Sequence, residues 1–210
     1  MAVSWCVHAR SHPEDGGSIL VVVKSVILIG MPGSGKSTIG VLLAKELRRN
    51  FVDTDLLIQE RTGRALQDIL DEDGIPAFLA IEAETVVAYQ PRGEIVATGG
   101  SVVYSEAAMR HLAEHGVCVY LECSHEVLEE RLSNLDSRGV VRHPGQSVAD
   151  LLAERQPLYL RWAVITVPNA HEHHGETVRE LAAALRPLLG EVSPSASTAP
   201  VRTTPLTAGT

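Results

Sequence analysis

Cysteine, positive charge and long hydrophobic runs are scarce in this sequence, and each scarcity argues against a class of protein. The three cysteines, Cys6, Cys118 and Cys123, form no CxxC pair, and their odd number favours a reducing compartment over a disulfide framework. Lys and Arg number 18 against 26 Asp and Glu, and the net charge of −8 disfavours a general nucleic-acid-binding surface. The longest apolar stretch, residues 19–29, is interrupted by Lys24 and is too short to span a bilayer. We therefore predict a cytoplasmic protein without nucleic-acid or membrane partners.

Changes in composition divide the chain into a folded body and two extensions. Residues 1–17 are rich in His, Gly and Asp and show no hydrophobic periodicity, which predicts a flexible extension. From residue 191 onward Ser, Thr, Pro and Ala dominate, so the segment 191–210 cannot bury enough apolar surface to offset its ordering entropy and is predicted to be disordered. The body, 18–190, is long enough for one domain with a substantial core.

Short β-branched runs alternate with longer segments of helical spacing throughout the body. The runs predict strands, covered on both faces, at 25–29, 51–53, 94–98, 117–122 and 164–167. The intervening segments predict helices at 36–49, 65–89, 105–115, 125–134, 147–162 and 176–189. This alternation is typical of a three-layer α/β/α domain with a five-stranded parallel sheet.

The most specific motif in the chain is GMPGSGKS at residues 30–37, a full match to the P-loop pattern G-x-x-x-x-G-K-[ST]. Its glycines let backbone N–H groups turn inward around an anion at the positive end of a helix. We expect Lys36 to reach the β- and γ-phosphates of ATP and the Ser37 hydroxyl to ligate Mg²⁺. The predicted nucleotide-binding residues of this P-loop NTPase-type fold are Gly33, Ser34, Gly35, Lys36, Ser37 and Thr38.

Two aspartates follow the P-loop at the end of the second predicted strand. The chain has no guanine-reading Asn-Lys-x-Asp motif, and this early acidic pair suits a compact small-molecule kinase. We expect the second strand to lie beside the P-loop strand, so that Asp53 and Asp55 reach the edge where ligands bind in open α/β sheets. One carboxylate can help to hold Mg²⁺, and the other can take the proton of an acceptor hydroxyl. The alternative for Asp55 is a plain helix cap.

Glycines and arginines farther along the chain complete the candidate site. Gly99 and Gly100 follow the third predicted strand and allow a ligand to approach the backbone closely, although a plain turn explains them equally well. Residues 136–147 predict a mobile lid that brings Arg138 to the transferring phosphoryl group and excludes water, with a solvated basic loop as the alternative. Arg155, on the next predicted helix, can grip a substrate carboxylate bidentately.

Together these residues resemble the shikimate kinase family within the nucleoside-monophosphate-kinase-like P-loop enzymes. The resemblance covers about residues 25–185 and rests on GMPGSGKS at 30–37, DTD at 53–55, IQERTG at 58–63, Phe78 with Glu82, Gly99-Gly100 and ERQPLY at 154–159. It implies transfer of the γ-phosphate of ATP to a hydroxyl of shikimate, in aromatic amino acid biosynthesis. By analogy with small kinases of this kind, it also implies a monomer.

The resemblance further implies a role for individual residues. Asp53 is similar to the family's Mg²⁺-associated aspartate, and Asp55 to the aspartate that holds the shikimate hydroxyls and acts as base. Gly100 resembles the glycine that contacts substrate, and Arg155 the arginine that binds its carboxylate. The arginines implied for the nucleotide are Arg131 near the adenine and Arg138, from the lid, on the phosphates.

One position departs from the family pattern. Leu79 stands where the family usually has an arginine that also holds the substrate carboxylate, while its usual partner Glu82 is present. Such a charge-assisted hydrogen bond is worth roughly 1.5–3 kcal/mol, and Ser101 also replaces a third glycine. Three possibilities follow: shikimate held mainly by Arg155, a pocket retuned for another hydroxy acid, amino-acid alcohol or polyol, and an ATP-binding regulatory module that has lost catalysis.

Overall fold

The computed structural model describes residues 24–132, 139–143, 145–168 and 174–189. The predicted extension 1–17, the tail 191–210 and Arg138 lie outside these ranges, so the domain boundaries at 18 and 190 stay predictions. Within the described ranges, no helix combines the length and apolar character needed to cross a membrane.

Strands and helices alternate along the described chain. The strands are β1 (Ser25–Ile29), β2 (Phe51–Asp53), β3 (Ile95–Ala97), β4 (Gly116–Glu122) and β5 (Ile165–Pro168). The α-helices are α1 (Lys36–Leu47), α2 (Thr54–Thr62), α3 (Leu66–Ala88), α4 (Glu106–His115), α5 (His125–Arg131), α6 (Val148–Trp162) and α7 (His174–Leu185), and a 3-10 helix spans Val102–Tyr104.

All five strands pair in parallel in the order β2-β3-β1-β4-β5, which confirms the predicted five-stranded parallel sheet. The expectation that β2 lies beside β1 is wrong, because β3 separates them. The burial of the two strands explains this order. Every residue of β3 is buried, as an interior strand requires, whereas every residue of β2 is only partly buried, which suits the edge.

The central strand β1 places alternate side chains in two separate hydrophobic layers. Val26 and Leu28 pack with residues of α1 and α7 on one face of the sheet. Ile27 and Ile29 pack on the other face with residues of α3, α4 and α6. Because side chains alternate along a strand, a strand covered on both sides is a continuous apolar run, as the sequence of β1 indicates.

Helix α2 is absent from the predicted helices, and its start corrects the alternative role given to Asp55. Asp53 is the N-cap residue, and its Oδ1 accepts a hydrogen bond from the backbone N–H of Asp55 at 3.0 Å. Asp55 lies inside the first turn, so the cap is Asp53 and not Asp55. The helix was missed because its apolar residues, 56–58, are consecutive in sequence and show no helical spacing.

Helix α3 was predicted as one continuous helix but consists of two segments. Gly74 interrupts it with φ 81° and ψ 172°, a conformation that glycine adopts most readily. Pro76 follows at the start of the second segment, where a missing N–H leaves no hydrogen bond unmade. The second segment carries Phe78 and Glu82 towards the carboxyl edge of the sheet, where both line the cavity described next.

Candidate active site

The carboxyl edge of the sheet opens into one cavity of about 560 Å³. Because the strands are parallel, the segments that follow β1, β2 and β3 meet at this edge. The cavity is lined on one side by Gly33, Gly35, Lys36, Ser37, Thr38 and Arg131, and on the other by Asp55, Phe78, Glu82, Gly99, Gly100, Ser101 and Arg155. The structure thus brings the predicted nucleotide and acceptor residues to a single space.

The P-loop backbone has the conformation that its glycines were predicted to allow. Gly30, Gly33 and Gly35 have φ values of 147°, 76° and 87°. A Cβ atom at Gly30 would lie 2.7 Å from the carbonyl oxygen of Leu121, so a side chain is excluded there by space as well as by conformation. Helix α1 begins immediately after the loop and directs its N-terminal N–H groups towards it.

Lys36 is held over the P-loop by the loop itself. Its Nζ donates hydrogen bonds to the carbonyl oxygens of Gly30 at 2.9 Å and Met31 at 2.8 Å. Burial lowers the pKa of Lys36 from 10.5 to about 8, although the negative charges of Asp55 and Asp53 oppose that shift. The ammonium therefore stays predominantly charged at neutral pH, where it can bind phosphate oxygens.

Ser37 and Asp53 form the pair predicted to hold a metal ion. The Ser37 Oγ donates a hydrogen bond to Asp53 Oδ2 at 2.7 Å. A hydroxyl and a carboxylate are hard oxygen ligands, and Mg²⁺ in phosphate-transfer sites is held by one or two such protein ligands together with water and substrate oxygens. The donor set and its position beside Lys36 fit Mg²⁺.

Asp55 is a partly buried carboxyl group at the acceptor side of the cavity. Burial, and to a lesser degree the charge of Asp53, raises the pKa of Asp55, while the charge of Lys36 lowers it; the net result is a pKa raised from 3.8 to about 6. A carboxyl group with a pKa near 6 is mostly ionised at neutral pH and is a stronger base than an exposed aspartate. Its environment suits proton abstraction from a hydroxyl.

Lack of space explains the two glycines after β3 better than a plain turn does. A Cβ atom at Gly99 would lie 2.2 Å from Glu82 Oε1 and 3.0 Å from Asp55 Oδ1. A Cβ atom at Gly100 would lie 2.6 Å from Pro32 Cδ in the P-loop. Both positions must be bare because the acidic side chains and the P-loop approach this backbone from opposite sides.

Arg155 lines the acceptor side of the cavity but is otherwise buried, with only 1% of its surface exposed. Its Nε donates to the Tyr104 hydroxyl at 3.0 Å, and its Nη2 donates to the carbonyl oxygen of Val141. The Tyr104 hydroxyl in turn donates to Glu154 at 2.6 Å. Within the described residues Nη1 has no hydrogen-bond partner, so this donor is unused in the present structure.

Arg131 contacts the P-loop, and the described part of the predicted lid contacts helix α3. Arg131 donates from Nη1 to the carbonyl oxygen of Gly33 at 3.1 Å, which places it at the nucleotide side. The described part of the predicted lid contacts α3, since the Gly139 N–H donates to Gln67 Oε1 at 3.0 Å. Arg138 lies outside the described residues, so its role and the mobility of the lid stay predictions.

Several residues in the cavity wall or directly behind it escaped the sequence interpretation. Tyr104 and Val141 hold Arg155, and neither stands in a recognisable motif. His174 was not among the predicted site residues, but it begins α7 and lines the cavity. The segment ERQPLY at 154–159 was the available signal near Arg155, since Arg155 lines the cavity and Tyr159, on the same helix, bonds the carbonyl oxygen of Gly100.

Two buried, stacked tyrosines provide a matched test of how the glycine segment is held. Their ring centroids lie 5.2 Å apart, and Tyr159 donates its hydroxyl to the carbonyl oxygen of Gly100 at 2.6 Å. The hydroxyl of Tyr120 has no partner in the part of the chain that the structure describes. We expect Tyr159→Phe to lower the free energy of unfolding by about 1–2 kcal/mol, because the carbonyl is left unsatisfied.

The control is Tyr120→Phe, which removes an equally buried hydroxyl that makes no such bond. We expect it to leave the free energy of unfolding unchanged or slightly higher, as measured by urea denaturation under the same conditions. Equal losses in both variants would show that the Tyr159 hydroxyl does not anchor Gly100.

Comparison with known proteins places this geometry in a family. A sequence profile described as shikimate kinase matches residues 32–186. The chain is 41% identical over 162 residues to the shikimate kinase of Mycobacterium avium (strain 104), covering 76% of this chain and 92% of that protein. It is 33% identical over 170 residues to shikimate kinase 2 of Enterobacter sp. (strain 638), covering 79% and 97%.

Solved structures agree with the sequence comparison. A shikimate kinase from Acinetobacter baumannii in complex with shikimate superposes with a TM-score of 0.69 and 27% identity, covering 81% of this chain and 95% of that one. The shikimate kinase from Aquifex aeolicus superposes with a TM-score of 0.66 and 29% identity, covering 78% and 98%.

Proposed function

The chain belongs to the shikimate kinase family, and from this membership we propose that it transfers the γ-phosphate of ATP to a hydroxyl of shikimate. One observation carries the proposal most directly. A single cavity is lined by the P-loop lysine Lys36, the partly buried Asp55 and Arg155. A phosphate donor, a hydroxyl acceptor and an acceptor carboxylate therefore each have a matching group in one cleft.

The proposed reaction is an in-line displacement at the γ-phosphorus. An acceptor oxygen forms a bond to that phosphorus, the bond to the β–γ bridging oxygen breaks, and ADP leaves with the bond's electrons. The carboxylate of Asp55 orients the acceptor hydroxyl and receives its proton. Lys36 and the P-loop amides stabilise the charge that develops on the phosphoryl oxygens and on the departing ADP.

The nucleotide is held mainly by the segment from Gly33 to Thr38, with Arg131 beside it and Arg138 proposed to reach the phosphates from the lid. Ser37 and Asp53 would hold Mg²⁺. When bound, Mg²⁺ neutralises charge on the phosphate oxygens of ATP.

The acceptor is proposed to bind between Asp55, the bare backbone of Gly99 and Gly100, and Arg155. The Nη1 group of Arg155 binds the shikimate carboxylate, since its other nitrogens are engaged by Tyr104 and the Val141 carbonyl. A monomeric state, a cytoplasmic location and the absence of nucleic-acid and membrane partners stay predictions.

The proposal is tested by measuring ADP release from purified protein with ATP, Mg²⁺ and a panel of acceptors. The panel contains shikimate, other hydroxy acids, amino-acid alcohols, gluconate and simple polyols. We expect turnover with shikimate and little with the others. Turnover with another acceptor in place of shikimate would support a retuned pocket, and ATP binding without transfer to any acceptor would support a regulatory module; either result contradicts the proposal.

A further inference from the structure

Glu82 is a buried acid in the acceptor side of the cavity, and one of its two carboxyl oxygens lacks a hydrogen-bond partner among the described residues. It lies on the second segment of α3 and is 1% exposed. The Ser101 hydroxyl forms a hydrogen bond with its carboxyl group. Its Oε1 faces the bare Cα of Gly99 and has no hydrogen-bond partner among the residues that the structure describes. An ionised carboxylate with an unpartnered oxygen is costly in such a place, so the neutral acid is favoured.

The charges around Glu82 come from three different elements. Asp55 on α2 disfavours its ionisation, whereas Arg155 on α6 and Lys36 on α1 favour it. Burial is the largest influence, and together these effects raise the pKa of Glu82 from 4.5 to about 7. The two nearby cations therefore do not compensate for the loss of hydration.

Leu79 explains why, among the described residues, α3 itself offers no cation to balance Glu82. It lies three residues earlier on the same helix, at a spacing that places two side chains on neighbouring positions of one helix face. Instead of offering a charge, Leu79 packs against the small hydrophobic cluster formed by Ile58, Ile69, Phe78 and Val141. The helix face beside Glu82 is therefore apolar.

Building on the proposed function, we propose that Glu82 is a specificity-determining residue that keeps its proton on the acid side of neutrality and there leaves the positive charge of Arg155 to the acceptor carboxylate. It acts through the charge of the pocket rather than through contact with the acceptor. Loss of its proton places a negative charge beside Asp55 and Arg155, and that charge repels an anionic acceptor. A neutral acceptor is not affected in this way.

The test compares the pH dependence of KM for shikimate in the full-length wild type, Glu82→Gln and Leu79→Arg. In the wild type we expect KM to rise by about tenfold between pH 6.5 and 8.5, as one ionisation can produce. Glu82→Gln copies the protonated acid and should remove this rise. Leu79→Arg supplies a cation for the ionised acid and should also flatten the profile. In the wild type, the KM for shikimate methyl ester, a neutral probe, should not rise with pH.

A matched control is Glu84→Gln, which changes an exposed acid on the same helix that pairs with Arg61 at the surface. This variant should show the same rise in KM for shikimate as the wild type. All KM values are measured at saturating ATP. A rise in KM for shikimate that persists in Glu82→Gln would overturn the proposal.

A second measurement reports the proton without any catalysis. A group whose pKa rises on folding contributes stability that is complete below its unfolded pKa, here 4.5, and is lost as pH rises to about 7. The free energy of unfolding of the wild type should therefore fall over this range relative to that of Glu82→Gln. Parallel profiles would refute the inference about Glu82 even in an active enzyme, whereas absent turnover with shikimate would refute only the proposed function.

Discussion

Replacing Lys36 by methionine should lower kcat for ADP release by about 10³-fold, in the range found when one charge-stabilising donor is removed. Methionine keeps the length and the apolar stem of the buried side chain, so the loss reflects the missing ammonium. In the present structure that ammonium is held by the carbonyls of Gly30 and Met31, directly over the loop that cradles phosphates. Its charge is most valuable in the transition state, when negative charge moves towards the departing ADP.

The measurement is steady-state ADP release at saturating ATP and shikimate. Lys45→Met is the matched control, because Lys45 is an exposed lysine on the same helix α1 and its replacement should not change kcat. The retained fold is checked by comparing the denaturation midpoints of both variants. Activity of Lys36→Met within tenfold of the wild type would remove Lys36 from the mechanism.

The second large effect is expected for Asp55→Asn, which should lower kcat by about 10³-fold, within the range for loss of a general base. Asparagine preserves the shape and can still orient a hydroxyl, but it cannot accept the proton. The raised pKa of Asp55, about 6, shows that the native carboxyl sits in a site that strengthens its basicity. The affinity for ADP should change little, because the P-loop is intact.

This variant is assessed by kcat, by KM for shikimate and by direct titration with ADP. Asp71→Asn changes an exposed aspartate on α3 and is the control for the loss of one negative charge. An Asp55→Asn enzyme with near-wild-type kcat would show that the proton leaves by another route. Lost ADP binding would instead mean that Asp55 supports the P-loop.

Local chemistry explains which features could be predicted from the sequence. The P-loop was identifiable because its glycines, lysine and serine are close together in sequence, between a predicted strand and a predicted helix. The strands were also clear, since β1 and β4 are buried on both faces and read as continuous apolar runs. The order of the strands was not predictable in this way, because it depends on which strand the rest of the chain buries.

The site shows the same division between local and distant causes. Asp53 and Asp55 were found from their position after a strand, but the helix cap was considered only for Asp55, as the alternative to its role as base, whereas Asp53 makes it. Tyr104 was missed because the residue it holds, Arg155, is 51 positions away. The break at Gly74 left a local signal, a glycine two residues before Pro76, which a continuous hydrophobic pattern concealed.

The guanidinium of Arg155 has two roles under the proposed function: it binds the acceptor carboxylate and it holds the chain that borders the cavity. One of its nitrogens holds the Val141 carbonyl, so a carboxylate proposed to bind the same guanidinium would be linked to the chain that borders the cavity. Where the two are coupled, reciprocity requires that ordering the border strengthens carboxylate binding by the same factor as carboxylate binding favours the ordered border. An acceptor without a carboxylate should therefore have a lower kcat as well as a weaker affinity. The reason is that binding energy from a remote group of the acceptor helps to assemble the reacting centre.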